Sequence, residues 1–420
     1  MQILVISQFY GSDTAAVGQF LADAVAGMAQ AGHSVQVICG DNRYGNHGTG
    51  SDSANERSSR GPSLGNSGPE SFPIRIDQVR NITFSHKTFR KLISYATFYG
   101  NAAYKALMAP RADVVLTLTA PPGLAWIGWL MQRVRGSRHV VWEMDVYPDV
   151  AVALGFTRLR FLTELFNYPR RRSDTIIALG PCMKERLIRH KISATKIVVA
   201  ENWADGVQIN SLPFPEGKTL IVLYSGNFGM AHDAKTIMQV MQRFTHPCPI
   251  HFCFAGAGPL RRQVEEFCRS HALGIASFRD YVDYGKLGSS LAECHIGLVT
   301  QIDATLGAVV PSKVYGLMAA GRPILFVGPA RSTTAILINQ FGCGWHFDCG
   351  DAEGVFCLLH YLDIHREEIQ RRGEIARKVL EEHYDKPAGV ARICHALGLN
   401  IEATCSLERT HEACSTDVMA

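Results

Sequence analysis

The chain opens on a short apolar run, Ile3 to Ile6, followed by Val17, Phe20, Leu21, Ala24, Val25 and Met28 at helical spacing. Gly32 closes that predicted helix, and Val35 to Cys39 makes a second strand. Strand, helix and strand of this length predict a right-handed crossover between parallel strands. Residues 41–73 then turn to Gly, Ser, Asn and Arg with almost no apolar content, which predicts a mobile loop. The alternation resumes with strands at Val114–Thr117, Val140–Trp142, Thr175–Ala178 and Ile197–Val199, each separated by helix-length stretches. It stops in the Pro- and Gly-containing stretch from Glu201 to Gly217. A second series then begins afresh, with strands at Leu220–Tyr224, His251–Phe254, Ala276–Arg279, His295–Val299 and Ile324–Val327. Its helices include Asp233–Phe244, Pro259–His271 and Ser312–Ala320, and helical sequence continues through roughly 351–398.

This is the pattern of an α/β protein made of two Rossmann-like doubly wound domains facing a central cleft. The predicted division is 1–205 and 206–380, with 381–420 as a C-terminal helix and a polar, disordered tail. In open α/β sheets ligands bind outside the carboxyl ends of the strands, so the cleft is the place to look for chemistry.

Bulk properties narrow the classes. The 420 residues are 47% hydrophobic and 19% charged, enough for a substantial core. A formal charge of +4, with no long basic stretch beside aromatics, argues against a nucleic-acid partner. The twelve cysteines are mostly isolated in apolar or helical stretches and form no C-x-x-C pair. They read as buried free thiols in a reducing, cytoplasmic compartment. The first residues, MQILVISQFYG, lack the basic start and cleavage site of a signal peptide. The longest apolar run, Gly123 to Met131, is about half of the roughly 20 residues a membrane-spanning helix needs.

Two familiar signals fail. Gly217-Lys218-Thr219 has the ending of a P-loop, but the required earlier glycine is Leu212 and a strand follows. Gly256-Ala257-Gly258 follows a strand as a dinucleotide fingerprint does, but the third glycine position holds Arg261. No H-E-x-x-H or metal-binding D-x-D occurs, so neither a metal nor a cofactor is expected. What remains is a set of loops at strand ends. Tyr10-Gly11-Ser12 follows the first strand, where a glycine lets backbone amides approach a phosphate. Asp145 and Asp149 follow the strand HVVWE, where a carboxylate can accept a proton from an attacking hydroxyl. In the second domain Gly226, Asn227 and Gly229, then Gly256 and Gly258, are expected to present unblocked amides at helix starts. Pro311-Ser312 begins a helix with Lys313 in its first turn, where a cation opposes the helix dipole. A bound anion such as a diphosphate explains that lysine better than helix stability does.

The order YSGNFG, FAGAGPLRR, FRDYV, ECHIGLV, PSKVYGLMAAGRPI, with GHSVQVI and EMDVYP upstream, resembles the family 4 glycosyltransferases of the GT-B fold. The similarity is nearest to the bacterial members that build colanic-acid-like exopolysaccharide, capsule or O-antigen. The resemblance implies a retaining, metal-independent transfer from a UDP- or GDP-linked sugar. It implies that Ser312 and Lys313 meet the donor's diphosphate, that the backbone near Tyr281 and Val282 holds the base, and that Gly11 faces the phosphates from the other domain. Asp145 would serve as general base or position the acceptor, a polyprenyl-diphosphate-linked sugar or a saccharide.

Departures from the family pattern are equally plain. Two glutamates that many members carry, on the sugar and on the ribose, are here Ala308 and Gly316. The family's arginine and lysine after the first strand of the second domain are Asn227 and His232, while Lys235, Arg261 and Arg262 read as solvated helix residues. Residues 85–107, with His86, Lys87, Arg90 and Lys91 beside Phe89, Leu92, Ile93 and Phe98, read as a basic amphipathic segment. It suits either peripheral contact with the inner face of a membrane or packing within its domain. Two other functions share the architecture: a sugar-nucleotide 2-epimerase, and a catalytically silent nucleotide-sugar-binding protein.

Overall fold

The computed structural model describes residues 1–11, 16–40, 74–79, 88–157, 160–244 and 248–399, with backbone alone at 88–93 and 160. The first sheet contains β1 (Gln2–Ile6), β2 (Ser34–Gly40), β3 (Ile74–Val79), β4 (Val114–Leu118), β5 (Arg138–Trp142), β6 (Thr175–Ala178) and β7 (Ile197–Val199). The second contains β8 (Leu220–Ser225), β9 (Ile250–Ala255), β10 (Ala276–Arg279), β11 (Ile296–Thr300), β12 (Ile324–Val327) and β13 (Gly344–Phe347). Their orders are β3-β2-β1-β4-β5-β6-β7 and β10-β9-β8-β11-β12-β13, with parallel pairing throughout. Both sheets therefore reverse winding at their first strand, which opens a crevice at the carboxyl ends of β1 and β8. The fold is the doubly wound pair expected from the alternating pattern.

Strands covered by helices on both faces must be apolar throughout, and β4, β6, β11 and β12 are buried at every position. The two strands absent from the sequence reading are both edges. β3, IRIDQV, is partly exposed and carries Arg75 and Asp77, so it lacks an apolar run. β13, GWHF, is buried only at Gly344. Residues 41–73, expected to form a mobile loop, and 400–420, expected to form a tail, lie outside the described residues.

The last helix, Lys386–Ala396, is not an appendage of the second unit. Val390, Ile393, Cys394 and Ala396 join the core of the first sheet, against the helix Ala16–Gln30. Gly27 permits this approach, because a Cβ there would collide with the Val390 methyl Cγ1. The chain thus crosses between its units twice. Arg377 holds the crossing by donating to the carbonyls of Gly206, Ile209 and Ala319 at 2.6–3.0 Å.

The helix Thr88–Met108 covers most of the segment singled out for membrane contact. His86 and Lys87 lie outside the described residues, as do the side chains of Phe89, Arg90, Lys91, Leu92 and Ile93. Its described part turns Phe98, Ala102 and Ala106, at four-residue spacing, into the core and leaves Tyr104 and Met108 exposed. Among the described residues, no helix is long and apolar enough to cross a membrane.

Candidate functional site

Two glycine loops interlock at the carboxyl ends of β8 and β9. Gly226 and Phe228 donate their amides to the carbonyls of Ala255 and Ala257, at 2.8 and 2.7 Å, and Gly256 donates to Arg279 at 2.9 Å. Two of the amides that the sequence suggested were free for a phosphate, those of Gly226 and Gly256, are therefore committed to loop structure. The glycines are required for another reason. Gly258 has φ +130°, and a Cβ there would lie 2.5 Å from the Phe228 carbonyl oxygen. Gly226 has φ +115°, and its Cβ would lie 2.7 Å from Lys313 Cε. The loop after β8 is thus hollowed to let the lysine stem pass.

Lys313 is the first residue of the helix Lys313–Ala319. Its ammonium donates to the Asn227 carbonyl at 3.1 Å, sits 3.3 Å from His232 Nε2, and lies 4.9 Å from the centre of the Tyr224 ring. His232 Nδ1 is 2.6 Å from the Thr300 carbonyl oxygen. A carbonyl only accepts, so Nδ1 carries the proton and Nε2 is left as an acceptor facing the lysine. Burial and the neighbouring Lys313 charge lower the His232 pKa to about 3, so the imidazole is neutral. It is no substitute for the family's second cation. Burial likewise brings the half-buried Lys313 from 10.5 down to about 7.

Lys313 lines a cavity of about 200 Å³ between the two units. On one side stand Ser225, Gly226, Tyr284, Leu291, Ser312 and Gly316. On the other stand Gln19, Phe20 and Asp23 of the first helix and Trp203 to Asp205 of the hinge. Lys386 Nζ bridges Asp23 Oδ1 at 2.7 Å and Asp205 Oδ2 at 3.3 Å, tying the first helix, the hinge and the last helix together.

Asp145 is not among the residues that line this cavity, and lies instead where the two units meet at Val309. It forms an antiparallel bridge with Val309, and Val146 donates to the Ala308 carbonyl at 2.8 Å. The segment four residues ahead of Lys313 is therefore clamped beside Asp145. The Asp145 carboxylate has no hydrogen-bond partner among the described residues. Burial, followed by the Glu143 charge, pushes its pKa from 3.8 to about 6. Tyr147 is raised by burial, then by the Asp145 charge and by Tyr95, so its phenol stays neutral near the carboxylate.

Asp149 is of a different kind. It accepts from Arg186 Nε at 2.5 Å and His190 Nε2 at 2.7 Å. Burial alone would raise its carboxyl, but the hydrogen bonds from His190 and Arg186 outweigh that and hold it below the usual range. Glu143, fully buried, is bound by Arg170 through two contacts of 2.5 and 2.9 Å, and Arg170 also donates to the Tyr147 carbonyl. These pairs fix the loop that carries Asp145.

Of the residues singled out in the sequence, Gly226, Ser312 and Lys313 line the cavity together. Asn227 and Gly256 support them, through the carbonyl that holds Lys313 and through contact with Gly226. Gly229 and Gly258 shape the loops behind, and Gly229 accepts from the His232 amide at 3.2 Å. Tyr281 is 57% exposed at the rim beside Gly256, and Val282 next to it is half-buried. Gly11 ends a described segment, and its amide donates to the Gly18 carbonyl at 3.1 Å. Arg261 is no solvated residue: it braces the Gly256 carbonyl at 2.6 Å and Asp280 at 2.9 Å. Lys235 and Arg262 are exposed, as expected. Asp23, Trp203, Asp205 and Tyr284 were not legible as site residues, because no local motif distinguishes them from surface and hinge positions. Among the described residues, no group of three or more His, Cys, Asp or Glu is arranged to hold a metal ion.

Comparison with known proteins places these features in context. The profile of the glycosyl transferase 4-like domain matches residues 15–203. WbjE of Pseudomonas aeruginosa, named as a probable glycosyltransferase, is 27% identical over 293 residues, which cover 66% of this chain and 72% of that protein. WcaI of Escherichia coli, which carries the name of a colanic acid biosynthesis glycosyl transferase, is 23% identical over 369 residues, covering 81% and 86%. Among solved structures, Anabaena HepE in complex with UDP and glucose superposes with a TM-score of 0.68 at 11% identity, covering 95% of this chain and 99% of that one.

Proposed function

Because the chain is a glycosyltransferase of the family 4 type with the GT-B fold, we propose that it moves a sugar from a nucleoside diphosphate to a saccharide or polyprenyl-diphosphate-linked acceptor in surface polysaccharide synthesis. The observation that carries this reading is the Lys313 ammonium, desolvated at the start of a helix, aimed by a neutral His232 and lining the interdomain cavity. Bond cleavage at the sugar's anomeric carbon leaves negative charge on the departing diphosphate. A preorganised ammonium and helix-start dipole stabilise that charge as it develops. Charge relief from side chains suits a transfer that needs no metal, and the family resemblance implies retention of anomeric configuration. Asp145 accepts the proton of the attacking hydroxyl, with Tyr147 beside it to orient the acceptor. WcaI's name supports the polysaccharide assignment, and the UDP held by HepE supports a nucleoside diphosphate donor. The work would then be done at the cytoplasmic face of the membrane.

The test is incubation of the full chain with a panel of UDP- and GDP-sugars and polyprenyl-diphosphate saccharides, with product anomers assigned by NMR. Release of nucleoside diphosphate coupled to a product retaining the donor's configuration supports the proposal. An inverted product, or UDP-GlcNAc isomerised with no acceptor present, refutes it.

A further inference from the structure

The cavity wall beyond Lys313 is bare at the next turn of its helix. Gly316 lies three residues on, hence on the same face, and a Cβ there would meet nothing closer than Leu291 Cδ1 at 3.7 Å. With a diphosphate on Lys313, that gap, one helical turn or about 5 Å along the wall, is within reach of the attached ribose. Among the side chains across the cavity are Trp203, Asp205 and Asp23. Asp205 Oδ1 accepts the amides of Val207 and Gln208, at 3.1 and 2.9 Å, which fixes the orientation of its carboxylate. Its other oxygen, Oδ2, has Lys386 Nζ at 3.3 Å, a distant contact that leaves acceptor capacity unfilled. Asp23 is better satisfied, with Lys386 at 2.7 Å on one oxygen and Trp203 Nε1 at 3.1 Å on the other. Ala204, Ile209 and Leu317 make much of the surrounding wall apolar. A fixed carboxylate with a free lone pair on such a wall is suited to accept a hydrogen bond from a hydroxyl.

We propose that Asp205 reads a ribose hydroxyl of the bound nucleoside diphosphate, supplying from the hinge the carboxylate that Gly316 does not. Lys386, fixed between Asp23 and Asp205, donates to the same hydroxyl. The inference rests on the donor reading above, and goes beyond it by naming the group that makes the site selective for ribonucleotides. It also makes ribose binding a contact with the hinge rather than with either sheet.

Calorimetry of the full chain with UDP, GDP and their 2′-deoxy and 3′-deoxy analogues tests it. A site built around a hydroxyl rejects the analogue lacking it, so the wild type should favour the ribonucleotide over at least one deoxy analogue by about tenfold or more. Asp205→Asn and Asp205→Ser both keep an acceptor for the Val207 and Gln208 amides, so they should fold yet lose that preference. Gly316→Glu added to Asp205→Ser should restore it from the opposite wall. A wild type indifferent to the ribose hydroxyls, or variants that keep the full preference, overturns the inference. The donor reading survives that result as long as UDP or GDP binds and Lys313→Ala weakens the binding. Failure of every nucleoside diphosphate to bind refutes both.

Discussion

Lys313 Nζ lies 3.3 Å from His232 Nε2, and the opposite nitrogen of that histidine is held at 2.6 Å by the Thr300 carbonyl. The arrangement aims the Lys313 ammonium with a neutral imidazole, so His232 adds no second positive charge beside it. Resting that charge on a half-buried ammonium has measurable consequences.

The first concerns pH. Burial holds Lys313 near 7 in the free protein, and a bound diphosphate raises it by opposing charge. Between the free and bound values, binding takes up a proton. The Lys313 contribution to UDP or GDP affinity should therefore be full below about pH 7 and fall toward tenfold per pH unit above it. Titration calorimetry at pH 8 in buffers of differing ionisation enthalpy should detect uptake of up to about one proton. Lys313→Ala should weaken binding at pH 7 by about tenfold or more and abolish the slope. A slope that persists in this variant assigns the proton elsewhere.

Gly226 should behave as part of the lysine's seat. Its backbone is at φ +115°, and a methyl there would lie 2.7 Å from Lys313 Cε. Gly226→Ala should lower stability by about 1–3 kcal/mol and displace the ammonium, so that donor affinity falls nearly as far as in Lys313→Ala. Thermal denaturation and calorimetry on the same preparation separate the two effects. Unchanged donor affinity would show that the stem does not need this passage.

Asp145→Asn should leave nucleoside diphosphate binding within about twofold of wild type and slow transfer by about 10²–10⁴-fold. A base acts in its deprotonated form, and burial beside Glu143 raises Asp145 to about 6. Wild-type turnover should therefore decline as pH falls through about 6, a limb an ordinary aspartate near 3.8 would place two units lower. Steady-state rates from pH 5 to 8 give the limb directly. Full activity in Asp145→Asn removes the residue from the chemistry.

Arg170 and Glu143 form a buried pair with side chains 3% and 0% exposed. Removing the arginine leaves a carboxylate buried without its partner, which costs about 3–5 kcal/mol. Arg170→Ala should show a lowered Tm and, through the loop it braces, impaired transfer. Arg186→Ala should be milder, because it leaves His190 on Asp149 and removes an arginine that is 23% exposed. Equal losses in the two variants would contradict the burial argument.

Much of this architecture is legible in the order of apolar runs. The winding of each sheet follows from short buried strands alternating with helix-length segments, since a parallel strand covered on both faces has no polar side to disguise it. β3 escaped because an edge strand keeps one margin wet and carries Arg75 and Asp77, and β13 because only Gly344 of its four residues is buried, so it lacks the apolar run of the inner strands. Lys313 was legible because a cation in a helix's first turn runs against the dipole, and that conflict is local.

Other features depend on residues that meet only after folding. The carboxylates facing Gly316 come from the first helix and the hinge, and are joined by a lysine more than 180 residues further on, where no spacing rule reaches. The neutrality of His232 depends on which carbonyl lies beside its ring, and the raised pKa of Asp145 on what the second unit covers. Sequence by itself determined the repeating α/β units and the lysine at their junction, because backbone pairing and side-chain periodicity act over a few residues. The charge state of that lysine's partner and the composition of the cavity wall were decided by tertiary structure alone, because desolvation and through-space contact depend on neighbours in three dimensions.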